Sequence, residues 1–264
     1  MLFRSFVALV GACLLVVGYA QAQQPKSRLL RVQESNTLRV GTTGDFNPMS
    51  FRDPASNEFR GHQIDAANEL AKELGVKVQF VVTDWKTIMN ALQADQFDIA
   101  MTGTSMSVAR AKSGGFSIPW GKNAFFPMVQ KKNATRFKDW DDLNNPKVTA
   151  GFNLGTTMEQ FVQATVPKAT ARRVESPARD WQELLAGRVD FTVASLIEGA
   201  ALTKQHPDLQ LILIDRPRNS IPMAFLLPID DLVWKNFVDN WITIKRQNGY
   251  FAELNKKWGI IGQD

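Results

Sequence analysis

The chain has 264 residues, of which 44% are hydrophobic and 22% are charged, and its formal net charge is +5. This composition is that of an ordinary globular protein, and because the basic residues are interspersed with acidic ones, nucleic acid is not an expected partner. The sequence holds one cysteine, Cys13, and two histidines far apart, His62 and His206, so we expect no disulfide framework, no metal site and no cofactor.

The first 22 residues have the pattern of a signal peptide. A short basic start precedes an apolar run from Phe6 to Ala20, and Ala20-Gln21-Ala22 forms a small-x-small cleavage site. The apolar run is too short to cross a bilayer as a stable helix. We therefore predict a chain that is exported to the periplasm and cleaved after Ala22. The residues around Cys13 also faintly resemble a lipoprotein cleavage site, which is the alternative.

The first part of the predicted mature chain alternates between strand and helix patterns. The central helix pattern places Ile64, Ala67 and Leu70 on one face and ends at Gly75, a residue type that favours a left-handed C-cap. Strand, helix and strand in alternation predict a parallel sheet with helices on its faces. The predicted elements are a strand at Thr37–Gly41, a helix at His62–Leu74, a strand at Val76–Val82, a helix at Trp85–Leu92 and a strand at Phe97–Met101.

The same unit recurs further along the chain. The segment from Trp85 to Asp98 is echoed by the segment from Trp181 to Asp190, since each holds a tryptophan, a helix pattern, a turn, an aspartate and an apolar strand. The echo favours two related lobes, although any chain of β-α-β units produces echoes of this kind. A mature chain of about 240 residues suits two lobes of about 120 residues each. The predicted elements are strands at Lys147–Phe152, Arg172–Val174 and Asp190–Ala194, and helices at Thr156–Thr165 and Asp180–Ala186.

Five blocks of the sequence, in the order in which they occur along the chain, together resemble a known protein family. The chain resembles the type II periplasmic solute-binding proteins of the polar amino-acid class, the bacterial extracellular solute-binding proteins of family 3. The blocks are Leu38–Phe51, Gly61–Asp65, Phe97–Gly103, Phe116–Trp120 and Gly155–Thr157.

Within that family, the chain is most similar to the periplasmic cyclohexadienyl dehydratases, which convert prephenate or arogenate to phenylpyruvate or phenylalanine. The similar stretches are Thr42–Pro48, Phe97–Gly103, His206–Leu209 and Phe225–Pro228. A resemblance of this kind supports common ancestry better than it supports a shared activity.

The resemblance implies an α/β, two-lobed fold of the type II periplasmic-binding-protein kind. Each lobe is expected to be a mostly parallel sheet flanked by helices, and two chain crossings form the hinge. The crossings are expected near Asn123 to Gln130 and Asp215 to Pro222, and the helical segment Ile229 to Trp258 returns to the first lobe. The implied division is a signal peptide at 1–22, lobe 1 at 23–125, lobe 2 at 126–218 and the return segment of lobe 1 at 219–264.

Arg110 is the first candidate ligand contact. It follows a buried strand, at the end where α/β proteins form ligand sites, and a guanidinium can bind a carboxylate through two parallel hydrogen bonds. By the resemblance, the family uses the matching arginine for its ligand's carboxylate. Thr102, Gly103 and Thr104, at the end of the same strand, belong to the ligand site on the same ground. The alternative is a solvated arginine on a helix surface.

The turn Gly155-Thr156-Thr157 opens a predicted helix. Thr156 can cap this helix, and the side chain of Glu159, three residues later, can complete a capping box. The remaining N–H groups of the first turn can bind an anion. A plain capping box without a ligand is the alternative.

Asp45 and three aromatic residues are further candidates for the cleft wall. Asp45 follows the first strand and either orients hydroxyl or ammonium groups of a ligand or accepts local backbone hydrogen bonds in a turn. Phe51, Trp85 and Trp120 are either ring-stacking walls of the site or core residues.

Glu198 separates a binding function from a catalytic one. By the resemblance, the matching glutamate of the dehydratases is the general acid, and a carboxylic acid in an apolar cleft can keep its proton near neutral pH. The alternative is a capping box in which Ser195 and Glu198 stabilise the start of a helix.

Three positions depart from the resembling proteins. Phe125 replaces a lysine and Met158 an asparagine of the dehydratases. Ser195 replaces the aspartate that binds the ligand's ammonium group in amino-acid-binding relatives, so the resemblance makes Ser195 a candidate ligand contact. An unbalanced ammonium group in a closed cleft would be costly. Four side chains predict an apolar pocket for a carboxylate that has an apolar body: Phe125, Met158, Trp85 and Trp120.

The leading hypothesis is a periplasmic solute-binding protein. It would close on an amino acid or related organic acid and deliver it to an ABC permease in the inner membrane. The alternative is a cyclohexadienyl-dehydratase-like lyase that uses Glu198 as its general acid, and a third class is a sensory or structural cleft protein.

Overall fold

The computed structural model describes residues 26–260, so the predicted signal peptide and its cleavage site lie outside the described residues. Within this range the chain alternates between helices and strands, as an α/β fold requires. The helices are α1 (Arg28–Ser35), α2 (His62–Leu74), α3 (Ile88–Gln93), α4 (Val108–Ala111), α5 (Trp140–Leu143), α6 (Thr157–Thr165), α7 (Asp180–Leu185), α8 (Leu196–Gln205), α9 (Leu232–Gln247) and α10 (Tyr250–Trp258).

The strands of the described range form three sheets. They are β1 (Thr37–Thr42), β2 (Asp45–Phe46), β3 (Ser50–Arg52), β4 (Phe59–Arg60), β5 (Lys77–Val82), β6 (Ile99–Ala100), β7 (Gly115–Phe116), β8 (Gly121–Gln130), β9 (Thr149–Asn153), β10 (Thr170–Val174), β11 (Phe191–Ser195), β12 (Leu209–Leu211), β13 (Arg218–Met223) and β14 (Leu226–Leu227).

Lobe 1 is the part of the molecule built on the five-stranded sheet, whose strand order is β5-β1-β6-β14-β7. β1 pairs in parallel with β5 and β6, and β14 joins antiparallel to β6 and β7. Leu38 and Val40 of β1 are completely buried together with Leu70 of α2 and Trp234 of α9. The small antiparallel sheet β2-β3-β4 also belongs to this lobe.

Lobe 2 is built on the second sheet, whose strand order is β10-β9-β11-β8-β12. β9 pairs in parallel with β10 and β11, whereas β8 runs antiparallel to β11 and β12. Its core is separate from that of lobe 1 and includes Phe125, Trp140, Phe152 and Phe191. Both sheets are therefore mixed, with the predicted parallel strands on one side and antiparallel strands on the other.

The two lobes are joined by β8 and β13, which lie side by side as an antiparallel pair. Met223 pairs with Gly121 at the lobe 1 end and Arg218 with Phe125 at the lobe 2 end, and the register shifts between Arg218 and Ile221. These strands coincide with the two expected crossings. The exact lobe boundaries at 125/126 and 218/219 stay a prediction.

Asp98 and Asp190, the aspartates of the two echoed segments, form equivalent hydrogen bonds in the two lobes. Asp98 accepts a hydrogen bond from the backbone N–H of Arg39 in β1 at 2.9 Å, and Asp190 accepts one from the N–H of Thr149 in β9 at 2.7 Å. Each aspartate thus ties the strand that follows a short helix to the first strand of its own lobe.

The predicted helix boundaries are confirmed for α2 and differ for α3. α2 spans His62–Leu74 and ends on Gly75, whose φ of 69° is the left-handed conformation that glycine adopts readily. α3 begins only at Ile88, because the side chain of Asp84 accepts the N–H groups of Lys86 and Thr87 and holds a turn there. Trp85 therefore stands on a turn, not on a helix.

No helix within residues 26–260 is long and apolar enough to span a membrane. The same part of the chain contains no group of three or more histidine, cysteine, aspartate or glutamate residues placed to hold a metal ion.

Candidate ligand-binding site

A cavity lies between the lobes. Both sheets contribute to it through the segments that follow their central strands, where ligands of α/β proteins bind. The lining residues from lobe 1 are Phe46, Trp85, Gly103, Ser105 and Arg110, and those from the hinge and lobe 2 are Asn123, Asn153, Thr156, Thr157, Met158, Arg179, Asp180, Val193 and Glu198.

Arg110 is a buried cation whose side chain donates hydrogen bonds only to backbone carbonyls among residues 26–260. It lies on α4, whose N-cap is Ser107, and only 5% of it is exposed. Its Nη1 donates to the carbonyl of Ser105 at 2.9 Å and its Nη2 to the carbonyl of Gly155, in the other lobe, at 3.0 Å. Burial lowers the pKa of Arg110 to about 10, and no described carboxylate offsets this effect.

Arg179 is a second cation of the cavity, with 12% of its side chain exposed, and it has carboxylate partners on both sides of the cleft. Its Nη1 donates to Oδ2 of Asp45 in lobe 1, and its Nη2 donates to Oε1 of Glu198 in lobe 2 at 2.9 Å. The indole Nε1 of Trp85 donates to the other oxygen of Asp45 at 3.0 Å. Burial disfavours the charged form of Arg179, but the nearby carboxylates of Asp45, Glu198 and Asp180 outweigh burial and raise its pKa.

Two carboxyl groups of the cavity wall have raised pKa values. Burial raises the pKa of Glu198 to about 7 and that of Asp180 to about 6, while the nearby Arg179 opposes both shifts. A fraction of Glu198 side chains is therefore protonated at neutral pH, which is the condition for a proton donor.

The structure supports both parts of the sequence argument about Ser195 and Glu198. The hydroxyl of Ser195 caps α8 by accepting the N–H of Glu198 at 3.0 Å. The Glu198 carboxylate, however, turns into the cavity towards Arg179. Glu198 therefore takes part in a cap through its backbone and lines the cavity with its side chain.

The turn before α6 brings the lobes into close contact. Gly155 has a φ of 77°, and a Cβ atom on it would lie 2.4 Å from the carbonyl oxygen of Trp85, so glycine is required when the lobes meet. Thr156 caps α6 by accepting the N–H of Glu159 at 3.2 Å, and Glu159 accepts the N–H of Gly155 at 2.8 Å. Thr156 and Thr157 line the cavity as well, so capping and a cavity position occur together.

Several predicted site residues lie outside the cavity lining. Phe51 packs edge-on against Trp258, with 6.0 Å between ring centroids, and Trp120 packs in the lobe 1 core 5.2 Å from His62. Thr102 uses its hydroxyl to bind Thr43 and Ser50, next to the cavity-lining Gly103. The residues of this group that are fully or almost fully buried are Thr102, Thr104, Trp120 and Ser195.

The apolar pocket predicted from four side chains is wrong for two of them. Trp85 and Met158 line the cavity, but Phe125 packs 5.3 Å from Phe161 in the lobe 2 core and Trp120 packs in the lobe 1 core. Large rings gain more by filling a core than by facing a small cavity. The cavity is consequently more polar and more highly charged than predicted.

Seven residues that line the cavity were not predicted from the sequence: Phe46, Ser105, Asn123, Asn153, Val193, Arg179 and Asp180. A signal for the last two was present, because Arg179 and Asp180 directly precede Trp181, the counterpart of the cleft residue Trp85 in the echo between lobes. Trp181 itself stacks on His206 at 4.8 Å, so in lobe 2 the residues before the tryptophan, and not its ring, reach the cleft.

The comparison with protein families assigns this chain to one family. The profile of the bacterial extracellular solute-binding proteins, family 3, matches residues 38–261. The chain belongs to this family. As a family 3 protein it has the two-lobed type II fold of its structural neighbours, and a solute-binding role follows from its membership.

Its relatives include both an enzyme and binding proteins. It is 34% identical to the cyclohexadienyl dehydratase of Pseudomonas aeruginosa over 97% of this chain and 94% of that one. It is 28% identical to the L-cystine-binding protein of Escherichia coli over 95% of this chain and 94% of that one. The crystal structure of an ancestral amino-acid-binding protein, a precursor of cyclohexadienyl dehydratase, matches 88% of this chain and 99% of its own with a TM-score of 0.82 and 37% identity.

Proposed function

We propose that this solute-binding protein closes on a small organic acid and that Arg110 binds the carboxylate of that acid. The observation that carries the proposal is the charge of Arg110, which is buried in the cleft and has only neutral carbonyl oxygens as hydrogen-bond partners among residues 26–260. A buried charge without a counterion is costly, and a ligand carboxylate would remove this cost.

The surroundings of Arg110 suit a carboxylate. The Trp85 ring centroid lies 5.7 Å from the guanidinium carbon and shields one side of the group from water. The first turn of α6, at Thr157 and Met158, supplies backbone N–H groups at the positive end of a helix. A carboxylate between Arg110 and this turn would contact both lobes and hold them together.

The family supports a transport role, which completes the proposal. Its relatives include a probable amino-acid ABC transporter-binding protein. We infer that this chain is exported, loses residues 1–22, and delivers its ligand to an ABC permease in the inner membrane.

The test is a thermal-shift and calorimetry screen in which each carboxylic acid is paired with its uncharged amide. Amino acids, keto acids and hydroxy acids form the panel, because a ligand of the folded state raises the melting midpoint. Acids should stabilise the protein and their amides should not. Equal stabilisation by an acid and its amide would remove Arg110 from this role.

Glu198 supports a second candidate function, a dehydratase-like lyase. Its buried side chain lines the cavity and its pKa is raised to about 7. In such a reaction Glu198 would donate its proton to a ring hydroxyl while the ring carboxylate leaves as carbon dioxide and the hydroxyl leaves as water, so that the ring becomes aromatic.

An assay of prephenate conversion separates the two functions. Turnover to phenylpyruvate at about one per second or faster would identify an enzyme if it is lost in Glu198→Gln, because this variant keeps the shape of the side chain but has no acidic proton. Prephenate binding by the wild type without turnover would favour the transport function.

A further inference from the structure

We propose that Arg179 is a specificity residue: a cation of the protein itself that occupies the carboxylate-lined end of the cleft and excludes ligands that carry a cationic group there. This inference rests on the proposed function, because it concerns the ligand whose carboxylate binds Arg110.

The position of Arg179 is the first ground for this inference. Its guanidinium lies between Asp45 of lobe 1 and Glu198 of lobe 2 and donates to both. Two carboxylates that face each other across a cleft form a binding site for a cation. In this protein that site is already filled by a side chain, of which only 12% is exposed.

The balance of charge in the cavity is the second ground. Arg110 has no carboxylate partner among the described residues, whereas Arg179 has two. A ligand carboxylate neutralises Arg110. An additional cationic group on the ligand would find both carboxylates already paired with Arg179, so it would lose its hydration without gaining a counterion.

Two unused hydrogen-bond donors define what the ligand carries in place of a cation. Nδ2 of Asn123 and Nε of Arg179 are buried, belong to residues that line the cavity, and have no acceptor in the described part of the chain. Asn123 is 3% exposed, and its Oδ1 accepts the N–H of Ala124 at 3.0 Å, which leaves the amide nitrogen to donate. Buried donors require acceptors.

The ligand class that satisfies both arginines and both donors is a carboxylic acid whose far end carries an acceptor oxygen. That oxygen can belong to a hydroxyl, a carbonyl or a second carboxylate. An amino acid with a cationic side chain does not belong to this class.

L-Arginine and L-citrulline form a matched pair of probes, because they have nearly the same shape but the far end of citrulline is a neutral urea with an acceptor oxygen. Calorimetry and thermal shift on the wild type should show that citrulline is favoured. In Arg179→Met the carboxylates of Asp45 and Glu198 lose their cation, and we expect the preference for arginine over citrulline to rise by at least about 100-fold.

Two further variants serve as controls. Arg188→Met removes an arginine that pairs with Glu183 away from the cavity and should leave the preference unchanged. Arg179→Met/Glu198→Gln removes one of the two carboxylates and should lose most of the gained arginine binding. Arg179→Gln, a polar replacement, takes the place of Arg179→Met if circular dichroism shows that the methionine variant is unfolded.

The possible outcomes decide the inference. A wild type that prefers arginine, or Arg179 variants that fold and gain no arginine binding, would overturn it. If the wild type binds neither probe, the gain in the variants decides alone. A wild type that selects acids over amides yet binds arginine as tightly as citrulline would overturn this inference and leave the proposed function standing.

Discussion

Arg110 and Arg179 carry the same charge in the same cavity, and their partners differ. Arg179 is neutralised by Asp45 and Glu198, whereas Arg110 donates to two carbonyl oxygens. Because guanidinium remains charged near neutral pH even after its pKa is lowered to about 10, the side chain of Arg110 is held ready for an anion. The difference lies in the partners and not in the residue type.

Replacing Arg110 with lysine tests the carboxylate contact directly. Lysine keeps the charge but cannot form two parallel hydrogen bonds, so Arg110→Lys should weaken the binding of the acid by about 2 to 4 kcal/mol. Isothermal titration calorimetry measures the change. Arg188→Lys, which alters an arginine outside the cavity, should bind the acid as the wild type does. Near-equal affinity of Arg110→Lys and the wild type would contradict the assignment.

The raised pKa of Glu198 predicts a pH-dependent stability. Its pKa is about 7 in the folded protein and 4.5 in the unfolded chain, so between these values the folded state binds more protons than the unfolded state. The protein therefore loses stability as the pH rises from 4.5 to 7. Glu198→Gln removes this loss. Relative to the wild type, we expect the variant to gain about 2 kcal/mol of unfolding free energy between pH 5 and pH 8.

Urea unfolding at the two pH values measures this gain. Asp180 titrates in the same pH range and its negative charge helps to raise the pKa of Glu198, so both proteins are compared in an Asp180→Asn background. Parallel stability curves for the two proteins would show that Glu198 is ionised throughout this range.

Among the elements, the turn before α6 has the most direct effect on the cleft. Its glycine allows the backbone to approach Trp85 and Lys86 of the other lobe, and its carbonyl accepts a hydrogen bond from Arg110. The same turn begins α6, whose first residues line the cavity. A single turn therefore connects lobe contact with the ligand site.

Gly155→Ala should impair ligand binding more than it impairs folding. A Cβ atom would meet the Trp85 carbonyl at 2.4 Å only when the lobes are together, so we expect affinity to fall at least about tenfold, or 1.4 kcal/mol. Gly75→Ala is the matched control, because Gly75 has a similar φ of 69° and its Cβ would meet nothing within 4 Å.

Both glycine variants should lose about 1 kcal/mol of stability from backbone strain. Only Gly155→Ala should lose affinity in calorimetry. Equal affinity of the two variants would mean that the close approach at Gly155 is not needed for binding.

At the scale of the whole molecule, few polar contacts between residues 26 and 260 join the lobes across the cleft. Arg179 contacts Asp45, Arg110 contacts Gly155, and Lys86 forms an ion pair with Glu175 at 2.8 Å. The Lys86–Glu175 pair is largely exposed and contributes little. The two arginines of the cavity therefore dominate these contacts, and the paired strands β8 and β13 are the place where the lobes can rotate.

Ligand binding should shift the molecule towards its compact form. A ligand that contacts Arg110 and α6 together stabilises only the arrangement in which the lobes meet. Small-angle X-ray scattering should therefore show a smaller radius of gyration at saturating ligand, and Gly155→Ala at the same ligand concentration should respond less. An identical radius with and without a ligand that calorimetry shows to bind would contradict closure.

The sequence by itself determined the local elements of this protein. The helix from His62 to Leu74, its end at Gly75, the caps at Thr156 and Ser195 and the two chain crossings follow from apolar spacing, residue type or family resemblance. The cavity position of Arg110 was also predictable, because the end of a buried strand is a place that topology reserves for ligands.

Only the tertiary structure decided which side chains meet. Asp45 and Arg179 are 134 positions apart and come from different lobes, so no local pattern relates them. Nor can composition decide whether Phe51, Phe125 or Trp120 faces a core or a cleft, because an aromatic ring gains free energy from either burial. Secondary structure depends on interactions between near neighbours in the chain, whereas the charge and shape of the cleft depend on how the two lobes pack.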